Sequence, residues 1–264
     1  MDCASRQPRS IVSELPAQRR AVLYDHAVRG DLAVLVPSRG RPDAVAGLAR
    51  RIAETAAGVR ARTALIVAVD LDDPSSIDYP AAAAGSPNLP GLLVLERTTG
   101  AAQALNLIAC RYAPGVRNVM FLPDGWRPVA PGWDKALVDA LDAGAGLAHG
   151  QEIGHERVLP RHMAVRSEVV ETLGYLVPDG MPCGAWPDVW AGWGRACGIT
   201  QVPGAVFERD PRVPRRGPCL EDRVAAEVEA VARYRRSGQA ERDEQALAAL
   251  SAGTDAAARH PAGW

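Results

Sequence analysis

Leu32-Ala33-Val34-Leu35-Val36-Pro37, followed at once by Ser38-Arg39-Gly40-Arg41-Pro42, is an unbroken apolar run that stops in a polar turn. Because successive rather than alternate residues are apolar, the run predicts a strand buried on both faces, as in a parallel sheet covered by helices. Beyond the turn a helix is expected from Asp43. There Val45, Leu48, Ala49 and Ile52 recur at i, i+3, i+4 and i+7 and share one face.

The same unit repeats outward. Ala64–Val69 is a second apolar run, closing on Asp70-Leu71-Asp72-Asp73-Pro74, and a Pro- and Ala-rich connection without periodicity follows. Leu92–Leu95 reads as a third strand ending in Glu96-Arg97-Thr98-Thr99-Gly100. A helix is expected from Ala101 to about Tyr112, burying Leu105, Ile108, Ala109 and Tyr112. Val119–Leu122 is a fourth strand, stopping at Pro123-Asp124-Gly125, and a helix near Trp133 buries Leu137, Ala140 and Leu141. This alternation predicts an α/β fold, a mostly parallel sheet with helices on both faces. Such sheets bind ligands beyond the carboxyl ends of their strands, and the polar clusters of this sequence fall at those ends.

Past residue 145 the pattern loosens. Gly146–His149 and Val158–Val165 are candidate strands, Trp186–Cys197 a Trp-rich helix, and the proline-spaced segment from Asp210 to Pro218 a loop. Leu220, Val224, Val228 and Val231 mark a helix, Ser237-Gly238 interrupts it, and a further helical piece runs to Leu250. The organisation expected is a leader over 1–30, an α/β domain over 31–218, a C-terminal helical extension over 219–251 and a disordered tail over 252–264.

The formal net charge of −1 gives no global attraction to nucleic acid or an anionic membrane. Lys135 is the only lysine, an arginine bias that reads as codon usage of a GC-rich genome. The cysteines (Cys3, Cys110, Cys183, Cys197, Cys219) form no C-x-x-C pair, which argues against a disulfide framework and a structural zinc site. No stretch approaches the roughly 18 apolar residues of a membrane span, and Met1–Pro8 lacks the apolar core of a signal peptide. A cytoplasmic protein with reduced thiols is expected.

The order Val36-Pro-Ser-Arg-Gly-Arg-Pro42, Val67-Ala-Val-Asp-Leu-Asp-Asp-Pro74, a Gly- and Asn-bearing helix start and an acidic strand end resembles GT-A-type glycosyltransferases. More narrowly, Asp124-Gly-Trp-Arg-Pro-Val-Ala-Pro-Gly-Trp-Asp134 is similar to the Gly-Asp-Asp-His-Arg…Thr-Pro-Gly-Trp-Asp segment of a family of phage and bacterial proteins. Leu173-Gly-Tyr-Leu-Val-Pro178 and Asp188-Val-Trp190 match later segments of that family in order. The resemblance spans roughly residues 32–211.

It implies a nucleoside-diphosphate sugar donor, a UDP-sugar above all, held at the carboxyl edge of a GT-A-like sheet. Ser38, Arg39 and Arg41 are then candidate nucleotide contacts, arginine being suited to diphosphate by its planar, permanently charged fork. Asp70, with Asp72 and Asp73, is placed to accept from base or ribose; turn chemistry before Pro74 explains the same residues without a ligand. Thr98, Thr99 and Gly100 at a helix start suit phosphate, or an N-cap. Asn106 lies where the family also carries a polar residue.

Asp124 is the candidate ligand of a divalent cation, Mn²⁺ or Mg²⁺, bridged to the diphosphate. The family pattern expects a second carboxylate, and Gly125 occupies its place. Where the family reads Glu-His-x-His-Pro, this chain reads Glu208-Arg209-Asp210-Pro211, so no histidine ligand carries over. Asp188 is the candidate general base of an inverting transfer, or a helix N-cap after Pro187. Trp126 and Trp190, with Trp186 and Trp193, are candidate stacking contacts, although core packing is the commoner fate of tryptophan, and Arg209, Arg212, Arg215 and Arg216 are candidate contacts to diphosphate or acceptor. His149, His155 and His162 show no ligand spacing and read as structural.

Some members of the resembled family add sugars to hydroxymethylated pyrimidines in DNA, which makes such DNA a candidate acceptor and the arginine loop its candidate surface. A nucleotidyltransferase shares a similar sheet but opens with a Gly-rich loop and a lysine near the first strand, which this chain lacks. A degenerate, non-catalytic nucleotide-sugar-binding or interaction domain accounts for Gly125 and the lost histidines.

Overall fold

The apolar run from Leu32 forms the centre of β1 (Gly30–Ser38), where Leu32 through Val36 are fully buried. In this computed structural model, residues 28–58, 62–83, 91–154, 160–213 and 220–259 are described. After β1 come α1 (Pro42–Thr55), β2 (Thr63–Asp70), α2 (Tyr79–Ala83), β3 (Gly91–Glu96), α3 (Ala101–Tyr112) and β4 (Val116–Phe121). The second half adds β5 (Trp126–Pro128), α4 (Trp133–Asp142), β6 (Leu147–Glu152), β7 (Met163–Arg166), α5 (Ser167–Leu173), α6 (Trp186–Cys197) and β8 (Ile199–Arg209). Two helices close the described chain, α7 (Leu220–Arg236) and α8 (Gln239–Arg259).

Among the described residues one sheet holds all the strands, in the order β3-β2-β1-β4-β7-β6-β8-β5. The centre is parallel as expected: β1 pairs in parallel with β2 and β4, and β2 with β3. The second half departs from that expectation, because β7 is antiparallel to both β4 and β6, and β5 is antiparallel to β8. Two reversals restore direction, so β6 and its parallel neighbour β8 point the same way as β1 and β4. The carboxyl ends of β1, β2, β3, β4, β6 and β8 therefore share one edge.

β8 is the element the sequence concealed. Pro203-Gly204 breaks its pattern, and its pairing with β6 slips between His149 and Gln151. At that irregularity a Cβ on Gly150 would stand 2.0 Å from the Ala205 carbonyl oxygen, so only glycine lets the strands close.

Each face of the sheet carries its own core. Ala33 and Leu35 point into the cluster made with α3, α5 and α6; Leu32, Val34 and Val36 point into the one made with α1 and α4. Burying such an aliphatic side chain is worth about 1.5–3 kcal/mol, which is why the two-faced apolar run fixes the sheet. The C-terminal helices belong to the first core, contributing Val231 and Leu247. Asp243, 3% exposed, accepts from the hydroxyls of Tyr175 and Tyr234 and so latches α8 to the body of the domain. Val224 and Val228 of the predicted apolar stripe instead face solvent. α8 extends to Arg259, so the stretch expected to be a disordered tail from 252 is helical as far as that residue. The expected leader falls, as far as residue 27, outside the described residues.

Candidate active site

At the shared edge, the ends of β1 and β4 are joined by a closed ring of hydrogen bonds that begins and ends on Arg41. Arg41 Nη1 donates to Asp124 Oδ1 at 2.8 Å, and Ser38 Oγ donates to Asp124 Oδ2 at 2.8 Å. With the serine proton so engaged, the Tyr79 hydroxyl donates to Ser38 Oγ at 3.0 Å. Tyr79 Oη in turn accepts from the Arg41 backbone N–H at 2.9 Å. Tyr79 is fully buried, and burial raises its hydroxyl above the ordinary tyrosine value, which keeps it a donor. Asp124 is 8% exposed, so ring and ion pair together satisfy a carboxylate that burial would otherwise penalise. Tyr79 escaped the sequence reading because its surroundings have no period; the one signal is a large aromatic side chain beginning an Ala-rich stretch.

The end of β2 forms the neighbouring wall. Arg39 Nη1 donates to Asp70 Oδ2 at 2.9 Å and to Asp72 Oδ1 at 2.8 Å. The hydrogen bond from Arg39 holds Asp72 below the usual carboxylate range, and the bonds to Asp72 and then Asp70 raise Arg39. Asp70 also accepts from the Thr98 amide at 3.0 Å and from its hydroxyl, which ties β2 to the end of β3. Asp73 is 2% exposed and accepts from the Gly40 amide at 2.6 Å and the Ser75 amide at 2.9 Å. It clamps one loop to the next and is not open to a ligand.

Several expected contacts take other roles. Neither threonine caps α3: Gly100 is the N-cap, and the Thr99 amide and hydroxyl both donate to Gln103 Oε1, at 2.6 and 3.0 Å. Asn106 is buried and donates to the Val177 carbonyl at 2.7 Å, while its own carbonyl accepts from the Leu176 and Val177 amides at 3.0 Å. It positions the loop before α6 and offers no free polar atom to a donor. Trp190 is 0% exposed and Trp126 5% exposed, which corrects both as stacking platforms; their rings are core.

In the arginine loop, Arg212 Nη2 donates to Asp210 Oδ2 at 2.8 Å and its Nε to Asp210 Oδ1 at 3.0 Å, a bond pair that holds Asp210 below its usual range. Arg209 donates to the Val213 carbonyl at 3.1 Å. Arg215 and Arg216 lie outside the described residues, as does His155. His149 and His162 are buried, in keeping with a structural role.

Asp188 lies in the first turn of α6 and is exposed; the N-cap is Ala185, so the capping explanation does not apply. Its placement follows from connectivity. Gly198 alone separates α6 from the start of β8, so the far end of this 12-residue helix, about 18 Å away at 1.5 Å per residue, approaches the carboxyl edge. Phe121 at the end of β4 packs on Trp186 at 4.8 Å and on Trp190 at 6.0 Å, between ring centroids. Asp188 lies two residues from both Trp186 and Trp190, so its side chain is on the exposed face of α6, turned away from the aromatic contact that docks this first turn against β4.

Both oxygens of Asp124 are engaged by Arg41 and Ser38, position 125 has no side chain, and Asp210 is clamped by Arg212. Among the described residues no group of three or more His, Cys, Asp or Glu side chains converges to hold a metal. The donor set does not fit a dedicated divalent site.

No protein-family model matches this sequence, and no match is found among curated proteins. Solved structures are similar. A mannosyltransferase from Pyrobaculum calidifontis, in complex with GDP-Man and Mn²⁺, is 21% identical with a TM-score of 0.57, over 92% of this chain and 79% of that one. Glucosyl-3-phosphoglycerate synthase from Mycobacterium tuberculosis, in complex with Mn²⁺, UDP and glucosyl-3-phosphoglycerate, is 16% identical with a TM-score of 0.53, over 86% of this chain and 84% of that one. The same synthase was also solved with Mg²⁺ and UDP. No helix among the described residues is long and apolar enough to cross a membrane. The likeness to these proteins is one of fold, and the fold of this chain is that of the GT-A glycosyltransferases.

Proposed function

We propose that this protein transfers a sugar from a nucleoside-diphosphate sugar to an acceptor hydroxyl. The observation that carries the reading is the convergence of Arg39, Arg41, Asp70, Asp72 and Asp124 at the carboxyl edge of a GT-A sheet. In this reading the nucleotide lies across the ends of β1 and β2, where Asp72 and the partly exposed Asp70 accept from ribose or base. The diphosphate lies beside Arg41. The acceptor oxygen attacks the anomeric carbon as the bond from that carbon to the diphosphate oxygen breaks, and the diphosphate leaves with the electron pair. Asp188 takes the acceptor proton, and direct attack inverts the anomeric configuration. No step is routed through a metal ion, since the donor set does not fit one.

A hydroxymethylated pyrimidine in DNA is the acceptor that the sequence resemblance suggests. The described part of its proposed surface gives little support, because Arg212 and Arg209 are engaged internally. A small hydroxylated acceptor is the simpler reading. The test is release of UDP or GDP from a panel of UDP- and GDP-sugars, with water, small sugars or phosphorylated alcohols, and hydroxymethylated duplex DNA as acceptors. Turnover on any acceptor supports transfer. Binding without turnover on every one favours the degenerate, non-catalytic domain.

A further inference from the structure

We propose that the Arg41 guanidinium takes the place of a divalent cation at this site, so that the chain binds the diphosphate of its donor without metal. The proposal rests on the glycosyl-transfer reading above. It starts from charge. A dication on two carboxylates is locally neutral, and so is one guanidinium on one carboxylate. This chain has no carboxylate at Gly125 and has a cation directly on Asp124, at 2.8 Å. The one carboxylate is thus balanced by the one guanidinium.

The arrangement is built. Arg41 is fixed at both ends, its side chain by Asp124 and its backbone by Tyr79, and the ring through Ser38 closes on the same carboxylate. A fixed guanidinium loses little freedom when it binds, and its planar fork matches phosphate oxygens. Its remaining N–H donors have no partner among the described residues, and the side chain is 26% exposed at the edge where the strands end. Arg39 differs: it is committed to Asp70 and Asp72 and serves that wall. A metal competing for Asp124 would have to displace Arg41 from one oxygen and Ser38 from the other.

Backbone geometry does not impose the glycine. Gly125 is not among the positive-φ glycines, and a Cβ there would meet the Val213 side chain at 3.4 Å, ordinary contact. A second carboxylate can therefore be introduced there.

The test is calorimetric titration of the full chain with UDP and with GDP, in EDTA and in Mn²⁺. Wild type is expected to bind one of them in EDTA, with affinity changed less than about 3-fold by Mn²⁺. Arg41→Ala should weaken binding in EDTA by about 10-fold or more, the scale of a lost charge-assisted contact. Arg41→Lys, which keeps the charge and the backbone bond, guards against a folding defect and should retain part of the affinity, still without metal. Gly125→Asp should acquire Mn²⁺-dependent binding. Wild-type binding that appears only with Mn²⁺, or unchanged affinity in Arg41→Ala, overturns the proposal. Failure of both nucleotides to bind under either condition overturns instead the donor reading beneath it.

Discussion

The Thr63 hydroxyl donates to Asp134 Oδ2 at 2.6 Å, across 71 residues of sequence. The other carboxylate oxygen of Asp134 accepts from the Ala57 amide at 2.9 Å, and the neighbouring Trp133 indole donates to Thr55 Oγ1 at 3.1 Å. The Pro131-Gly132-Trp133-Asp134 stretch, which carried much of the family resemblance, thus works as a fastener between α4, the end of α1 and the start of β2. It secures the start of β2 and the end of α1, at the edge opposite the strands' carboxyl ends.

Removing that fastener is expected to cost stability without altering the ligand edge. Asp134 is 0% exposed, so Asp134→Ala leaves the buried Thr63 hydroxyl and the half-buried Ala57 amide without their acceptor. A loss of about 2–4 kcal/mol is expected from two such groups, read by urea denaturation. Nucleotide affinity of the protein that remains folded should be unchanged. A loss below about 0.5 kcal/mol, the range of an ordinary surface substitution, would show that water reaches the site and the bonds matter little.

Tyr79→Phe removes one hydroxyl and opens the ring that orients Arg41. The Arg41 amide loses its acceptor and Ser38 Oγ loses a donor. The melting transition should reflect a loss of about 1–2 kcal/mol, and UDP or GDP affinity should fall about 3- to 10-fold as Arg41 gains freedom. Equal binding by wild type and variant would mean that the Asp124 contact alone positions the guanidinium.

The sequence made the first half of the fold legible because residues 32–36 and 64–69 are buried on both faces and so carry no polar alternation to confuse the period. The helix face at Val45, Leu48, Ala49 and Ile52 is buried as its spacing predicts. The antiparallel half was harder to read: β5 is three residues long, and β8 is interrupted by proline and glycine. For the site, the residue types at the strand ends were visible, but their partnerships were not. Asp73 and Asn106 are polar residues near the edge like Asp70, and only the three-dimensional contacts reveal that they join segments of chain. The aromatic residues were ambiguous for a related reason: a tryptophan suited to a sugar face is equally suited to a core, and Trp186, Trp190 and Trp193 take the commoner place, within it.

Acid should loosen the fold through the histidines. Gly150 N donates to His162 Nε2 at 3.1 Å, so the proton sits on Nδ1, which faces Glu152 Oε1 at 3.3 Å. Burial holds His162 below the ordinary value of 6.5 despite that carboxylate, and burial likewise lowers His149. In the unfolded chain both protonate near 6.5; in the folded chain they protonate only at lower pH. The unfolded state therefore binds more protons below that value. Stability from this source is complete above about pH 6.5 and declines as pH falls through the window beneath it. Melting temperature should drop between pH 7 and pH 5.5, and drop less in His162→Gln, which keeps an acceptor and a donor but cannot titrate. Parallel curves for the two proteins would assign the acid sensitivity elsewhere.

Asp188 provides the sharpest test of chemistry, since no other exposed carboxylate is carried on the helix that Phe121 docks against the end of β4. A general base must be solvent-accessible at the reacting edge, and its loss should act on the chemical step alone. Asp188→Asn keeps size and polarity but cannot accept the acceptor proton, so kcat should fall about 100-fold or more, the usual scale for general-base removal. The KM for the sugar donor and calorimetric affinity for UDP or GDP should stay within about 2-fold, because the proposed donor contacts lie at the ends of β1, β2 and β4. Proton NMR of the wild-type product tests the stereochemistry implied by direct attack: the transferred sugar should carry the anomeric configuration opposite to that of the donor. Two results would remove Asp188 from the reaction. One is a full rate in Asp188→Asn; the other is a collapse of nucleotide binding with kcat intact, which would place the residue at the donor instead.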